Sequence, residues 1–224
     1  MLYNLHTHSP SGKSNITEIV NRYPYEDIDV AYFSTGIHPW HIDKSELEAH
    51  LSVVADRLKL DNCLALGECG LDKRIETPIE TQMDVFKKQL LLAKQSQKPV
   101  ILHCVAAFQE VIAMKKKLSV EAPMIIHGYS KNAQVAQQLI DNGFYLSFGK
   151  YLLRNPELSG VLAGIPADRF FLETDTIEEG IEDVYAKAAL ARNLDIEDLK
   201  YIISTNFKTV FKHGGMDRES GTTI

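Results

Sequence analysis

Two histidines stand two positions apart near the start of the chain, in Leu5-His6-Thr7-His8. On an extended strand, residues i and i+2 project to the same side, so both imidazoles can reach one cation. Other groups of metal-ligating type end short apolar runs further along. Glu68 lies in Gly67-Glu68-Cys69-Gly70-Leu71-Asp72, His103 closes Val-Ile-Leu-His, His127 closes Met-Ile-Ile-His, and Asp175 follows Phe170-Phe171-Leu172-Glu173-Thr174. Taken singly, each has a plainer reading. A lone histidine at a strand end is more often a hydrogen-bonded structural residue, and Glu68 or Asp175 alone would serve as a helix N-cap. The ordered set points to a site. His6 and His8 would hold one ion and His103 with His127 a second. Glu68 would bridge the two, and Asp175 would complete the first. Imidazole and carboxylate without thiolate suit zinc, manganese or iron, with magnesium less at home among histidines.

Bringing distant residues together requires their strand ends to share one face. After the N-terminal run, apolar runs recur at Val30–Ser34, Cys63–Gly67, Val100–His103, Met124–His127, Phe144–Phe148 and Phe170–Glu173. Amphipathic stretches lie between them, over 44–60, 81–97, 105–118, 132–142 and 182–192, with apolar residues at spacings of three and four. Gly143 stands where a helix C-terminal glycine belongs. Strands alternating with helices mean crossover connections and a parallel sheet, and near-continuous apolar strands mean burial on both faces. A barrel and an open doubly wound sheet both fit. The chain has neither G-x-G-x-x-G nor G-x-x-x-x-G-K-[ST], so nothing favours the open nucleotide-binding sheet. In a parallel barrel, all strand C-termini open on one face, which carries the site. Ile16–Asn21 reads as either a short strand or a helical turn. Residues 195–213 read as two helices, and 214–224 as a small, polar, mobile tail after a single domain spanning 1–213. His41 and His50 are expected on the surface, and His213 in a polar terminal helix.

The 224 residues suffice for a full core, and 45% hydrophobic with 24% charged residues is a normal globular balance. Lys plus Arg is 24 against 30 Asp plus Glu, a net charge of −6, which disfavours a broad electrostatic grip on nucleic acid. Three cysteines without C-x-x-C spacing argue for a reducing compartment and against a disulfide framework. No apolar run approaches the roughly 20 residues of a membrane span, and the first residues do not read as a signal peptide. The expectation is a soluble, cytoplasmic protein with no membrane role.

The segments LHTHS, GIHPW, GECGLD, Gln82 with FKKQLLLAKQSQKPVILH, HGYS, YLSFG, FLETD and NFKTVF together resemble the TatD family of metal-dependent hydrolases, in the family's order over residues 2–211. The resemblance implies an α/β fold, a TIM-like (β/α) barrel slightly shortened between strands 1 and 3. It implies two divalent ions, zinc, manganese or magnesium, and hydrolysis of DNA or small phosphodiesters. By residue, it assigns His6, His8, Glu68, His103, His127 and Asp175 to the metal-binding set and His38 to the cleft, where it would contact substrate. Asp175 would also move the proton from water to leaving group. The chain departs from the family pattern at Asn4, where an Asp is usual, at Val105, where an Arg is usual, and at Ile177, where a Pro is usual. Losing that arginine removes a phosphate contact. Lys73, Arg74, Lys150 and Arg154 follow the strand ends on the same face and would restore it, unless they are ordinary solvated charges; of the four, Lys150 is expected to contact substrate. A hydrolase of amides, esters or lactones using the same ions is the alternative, and a binding protein without activity is a third. No protein partner is implied, and a monomer is expected.

Overall fold

The computed structural model describes residues 1–211. Eight strands form one sheet in sequential order: β1 (Leu2–Thr7), β2 (Ile16–Asn21), β3 (Phe33–Thr35), β4 (Cys63–Asp72), β5 (Val100–Val105), β6 (Met124–Ile126), β7 (Phe144–Phe148) and β8 (Phe170–Leu172). Every neighbouring pair is parallel. A parallel bridge between Thr7 and Asp175 joins the end of the last strand to the first. Sequential order with the two edges meeting is a barrel, which settles the choice the sequence left open against the doubly wound sheet.

The helices are α1 (Leu47–Arg57), α2 (Ile79–Ser96), α3 (Phe108–Leu118), α4 (Ala133–Asp141), α5 (Lys150–Arg154), α6 (Glu157–Gly164), α7 (Ile181–Arg192) and α8 (Ile196–Val210). Neither β1 to β2 nor β2 to β3 is joined by a helix, so the shortening falls where it was expected. The ambiguous Ile16–Asn21 is the strand β2. Three expectations need correction. The run Val30–Ser34 is strand only from Phe33, because Val30 closes a tight turn on the Ile28 carbonyl. The third run continues beyond Gly67 to Asp72, as β4. The two helices expected over 195–213 are one, α8, capped by the Asp195 carboxylate on the Glu197 amide; no Gly or Pro interrupts it. The short helices α5 and α6 between β7 and β8 lack a readable period. Residues 212–224, which include His213 and the expected tail, lie outside the described residues.

The barrel interior and the helix undersides are apolar and fully buried, with Leu66, Ile101, Leu102, Met124, Ile125, Leu146 and Phe171 among them. No described helix is long and apolar enough to cross a membrane. Gly67 and Gly70 let β4 lie against β5. Both have positive φ, and a Cβ on either would collide with a carbonyl oxygen, that of Ile101 or that of His103. Between Leu66 and Cys69 the register shifts, with three steps of β4 against two of β5. This irregularity presents Glu68, which directly follows Gly67, at the barrel mouth.

Candidate metal centre

His6 and His8 come from β1 and the position after it. Glu68 comes from β4, His103 from β5, and His127 from the position after β6. Asp175 is held opposite β1, its amide bonding the His6 carbonyl at 2.9 Å and its carbonyl accepting from the His8 amide at 3.2 Å. The fold thus brings all six side chains together. Glu68 lies at their centre and is buried. Its two oxygens face different groups. Oε2 is 3.5 Å from His6 Nε2 and 3.4 Å from His8 Nε2. Asp175 Oδ1 is 3.8 and 3.5 Å from the same two nitrogens. Oε1 lies 3.0 Å from His103 Nδ1, 2.8 Å from His127 Nε2 and 3.1 Å from His38 Nε2.

These spacings fit a divalent ion. Ligand atoms about 2.1 Å from one tetrahedral ion stand about 3.4 Å apart, close to the distances among His6, His8, Glu68 and Asp175. His6 is fully buried, and among the described residues neither of its ring nitrogens has a hydrogen-bond partner. An imidazole so placed is costly unless something else takes its lone pair. Three triads have donor atoms within 4.8 Å of one another: His6, His8 and Glu68; His6, His127 and Asp175; and His38, Glu68 and His103.

The surroundings select which nitrogen of each ring can ligate. His127 Nδ1 faces the buried Glu173 carboxylate at 3.4 Å, so it carries the proton and leaves Nε2 toward Glu68. Glu173 also accepts from the Gly128 amide at 2.6 Å. His103 is oriented the opposite way round, with Nε2 3.2 Å from Asp72 Oδ2 and Nδ1 toward Glu68. His38 differs. Its Nδ1 accepts from the Trp40 amide at 3.1 Å, so the neutral ring carries its proton on Nε2, the nitrogen that faces Glu68. Such a nitrogen donates a hydrogen bond and offers no lone pair to an ion.

Burial alone would raise the Glu68 carboxyl, but His127 and the hydrogen bonds from His103, His127 and His38 hold it well below the ordinary range, as an anion. Burial opposes charge on His127, yet Glu68 and Glu173 hold its pKa well above the usual imidazole value, so a cation at Nε2 would have to displace a proton there while Nδ1 keeps its own against Glu173. For His38 burial wins over the pull of Glu68, and its pKa falls, so it is neutral.

Glu173 and Asp72 were not singled out from the sequence, although both lie in segments that were; each is an acid that ends or follows a strand beside a candidate ligand. Asn21 was also missed: its Oδ1 accepts the Glu68 amide at 2.6 Å. Asn4, the departure at the start of the chain, ties β1 to β8. It donates to Thr174 Oγ1 and accepts the Thr174 amide, two roles a carboxylate could not combine. Gln82 and Gln89, seven apart on one face of α2, bracket Asp72 and Ile37 and so fix the approach of GECGLD and GIHPW.

Lys150 opens α5 outside the histidine cluster, its ammonium 5.9 Å from the Tyr151 ring. With Arg154 it walls a cavity shared with Thr176, Glu178 and Glu179, beside Asp175 in the chain. Arg154 pairs with Glu179 at 3.3 Å and Lys73 with Glu110 at 2.5 Å. Arg74 is exposed, and Val105 is half-buried at the end of β5. His41 is exposed and packs edge-on to Tyr23; His50 is half-buried.

A parallel barrel with histidines and acids converging at the C-terminal mouth defines a class of metal-binding barrels. The chain belongs to the TatD family: the family model for TatD related DNase matches residues 4–212. It is 33% identical over 155 residues, 67% of this chain, to the uncharacterized metal-dependent hydrolase YabD of Bacillus subtilis, and that match spans 60% of YabD. It is 31% identical over 166 residues to the 3'-5' ssDNA/RNA exonuclease TatD of Citrobacter koseri, covering 71% of this chain and 63% of that protein. In fold, it is similar to the crystal structure of YJJV, a TatD homolog from Escherichia coli K12. That comparison gives a TM-score of 0.80 at 20% identity and covers 94% of this chain and 98% of the other.

Proposed function

We propose that this protein is a divalent-metal-dependent phosphodiesterase acting on nucleic acid, with single-stranded DNA or RNA as substrate. The observation that carries the reading is the split of the Glu68 carboxylate, with one oxygen toward His6 and His8 and the other toward His103 and His127. On this reading His6, His8 and Asp175 would hold one ion together with Glu68, and His103 and His127 would hold a second. When bound, such ions supply Lewis acidity and lower the pKa of water. The number of imidazoles favours zinc or manganese over magnesium. The relative named as an ssDNA/RNA exonuclease supports the choice of substrate.

The chain's own groups divide the remaining work. Asp175 has a side chain 26% exposed, so it can take a proton from water and return it to the leaving oxygen. His38 rests its one N–H, at Nε2, on Glu68 and would turn it toward the negative charge that develops at the reacting phosphoryl group. Glu173 and Asp72 hold His127 and His103 in their ligating tautomers. Lys150 reaches the substrate backbone from the edge of the mouth. The three cysteines, all unpaired, suit a reducing, cytoplasmic setting.

The test is a substrate panel on the full chain loaded with zinc or manganese. Single-stranded DNA and bis(p-nitrophenyl) phosphate should be hydrolysed, and a chelator should abolish turnover. Turnover of esters, cyclic amides or lactones without any phosphodiester cleavage would replace this reading with the carbonyl-hydrolase one.

A further inference from the structure

Aromatic rings lead outward from the candidate metal centre on one side of the mouth. The Tyr23 ring lies 5.9 Å from His8 and 6.4 Å from His38, against the cluster. Tyr25 stacks on Tyr23 at 5.7 Å with 28° between the planes. His41 packs edge-on to Tyr23 at 5.0 Å, and His50 lies 5.9 Å from Tyr25. Trp40 stands on the same rim, edge-on to His38 at 5.1 Å and 5.7 Å from His103. Tyr25 and Trp40 are each 59% exposed, a costly place for large rings.

These rings are held in place. Arg57 of α1 donates to the carbonyls of Tyr23 and Glu26, at 2.8 and 2.5 Å. Glu26 in turn accepts the Tyr23 amide at 2.7 Å, closing the turn that carries both tyrosines. Trp40 Nε1 donates to Asp72 Oδ2 at 2.9 Å, the same carboxylate that orients His103. Rings fixed before binding lose little entropy when something stacks on them. The cavity beyond His8 and Asp175, lined by Lys13 with Glu18, Glu178, Glu179 and Glu182, offers no tyrosine or tryptophan face.

We propose that Tyr25, Tyr23 and Trp40 form a stacking shelf for the bases of a single-stranded nucleic acid whose backbone crosses the histidine cluster. This rests on the phosphodiesterase reading and names the surface that would hold the strand. Stacking on aromatic side chains is tolerant of sequence but needs free base faces, which a duplex does not offer. The net charge of −6 also disfavours a broad cationic surface as the grip on the strand.

Trp40 is the one tryptophan in the sequence, so its fluorescence reports on the shelf directly. The full chain, loaded with zinc, is titrated with a phosphorothioate-linked thymidine pentamer and with an abasic phosphorothioate backbone of the same length. Saturable quenching is expected with the pentamer, and binding about tenfold weaker with the abasic strand. Tyr25→Ala should weaken pentamer binding by a similar factor, and Tyr25→Phe, which keeps the ring face, should not. Equal responses to both strands, no quenching by the pentamer, or unchanged binding in Tyr25→Ala would overturn the shelf. Cleavage of the unmodified pentamer, measured in parallel, separates the two readings. Cleavage without base-dependent quenching rejects the shelf and keeps the phosphodiesterase. Quenching without cleavage keeps a base-binding surface and rejects the phosphodiesterase.

Discussion

Glu68 Oε1 stands 2.8 Å from Nε2 of His127, although 59 positions separate the two residues in the chain. The same carboxylate reaches His6 and His8 with its other oxygen. One side chain therefore links the two histidine groups, and substituting it should affect both. Glu68→Gln, nearly the same in shape, should lower the bound metal measured by elemental analysis from two equivalents per chain to one or fewer. Turnover should fall by orders of magnitude. Near wild-type turnover with both ions retained would remove Glu68 from the bridging role.

Glu173 acts through His127. It is buried, faces Nδ1 and accepts the Gly128 amide, so its charge favours the tautomer with Nε2 free. Glu173→Gln keeps the volume and loses the charge. Metal affinity should fall about 10- to 100-fold, the usual scale for losing a group that orients a ligand. Competition with a fluorescent chelator measures this. Unchanged affinity would show that His127 needs no such support.

His38 and His103 both lie about 3 Å from the same Glu68 oxygen, at 3.1 and 3.0 Å, yet their tautomers differ. His103→Ala should cost one ion. His38→Ala should keep both ions and lower kcat, because only a donor is lost. Parallel metal analysis and steady-state kinetics decide the matter. Loss of metal in His38→Ala would make it a ligand and would require the Trp40 amide contact to break.

Much of this was legible in the sequence because the informative residues end apolar runs, and a parallel barrel places such ends on one face whatever their separation. The six candidate ligands were found in this way. The tautomer-setting partners were not, since Asp72 and Glu173 gain their meaning only from which ring nitrogen they face. Tyr23 and Tyr25 sit in a helix-free connection with no periodicity, so nothing in the pattern showed that they line the mouth. The extent of β4 was hidden for a related reason. Two glycines ordinarily punctuate a strand, and here they permit its close approach to β5.

Asp175 separates coordination from proton transfer. Its carboxylate shares His6 and His8 with Glu68 but is more exposed, with side-chain exposures of 26% against 5%. Asp175→Asn retains an oxygen for coordination and cannot accept a proton near neutral pH. The variant should keep a measurable share of its metal and lose most of its turnover. Complete loss of the ion, followed by elemental analysis, would assign the residue to coordination alone.

Removing the ions should destabilise the fold as well as stop the chemistry. Without them, the buried His6 ring has no partner at either nitrogen among the described residues, and Glu68 relies on the surrounding histidines alone. A ligand bound only by the folded state stabilises it by about 2.7 kcal/mol when present at 100 times its Kd. For a domain of this size, that corresponds to a rise in Tm of roughly 5–10 °C. Dialysis against a chelator should therefore lower Tm by several degrees, and adding back zinc or manganese should restore it in a concentration-dependent way. His6→Ala and Glu68→Gln should each blunt the restored part. A Tm indifferent to chelator and to added metal would show that folding is not linked to ion binding at these residues.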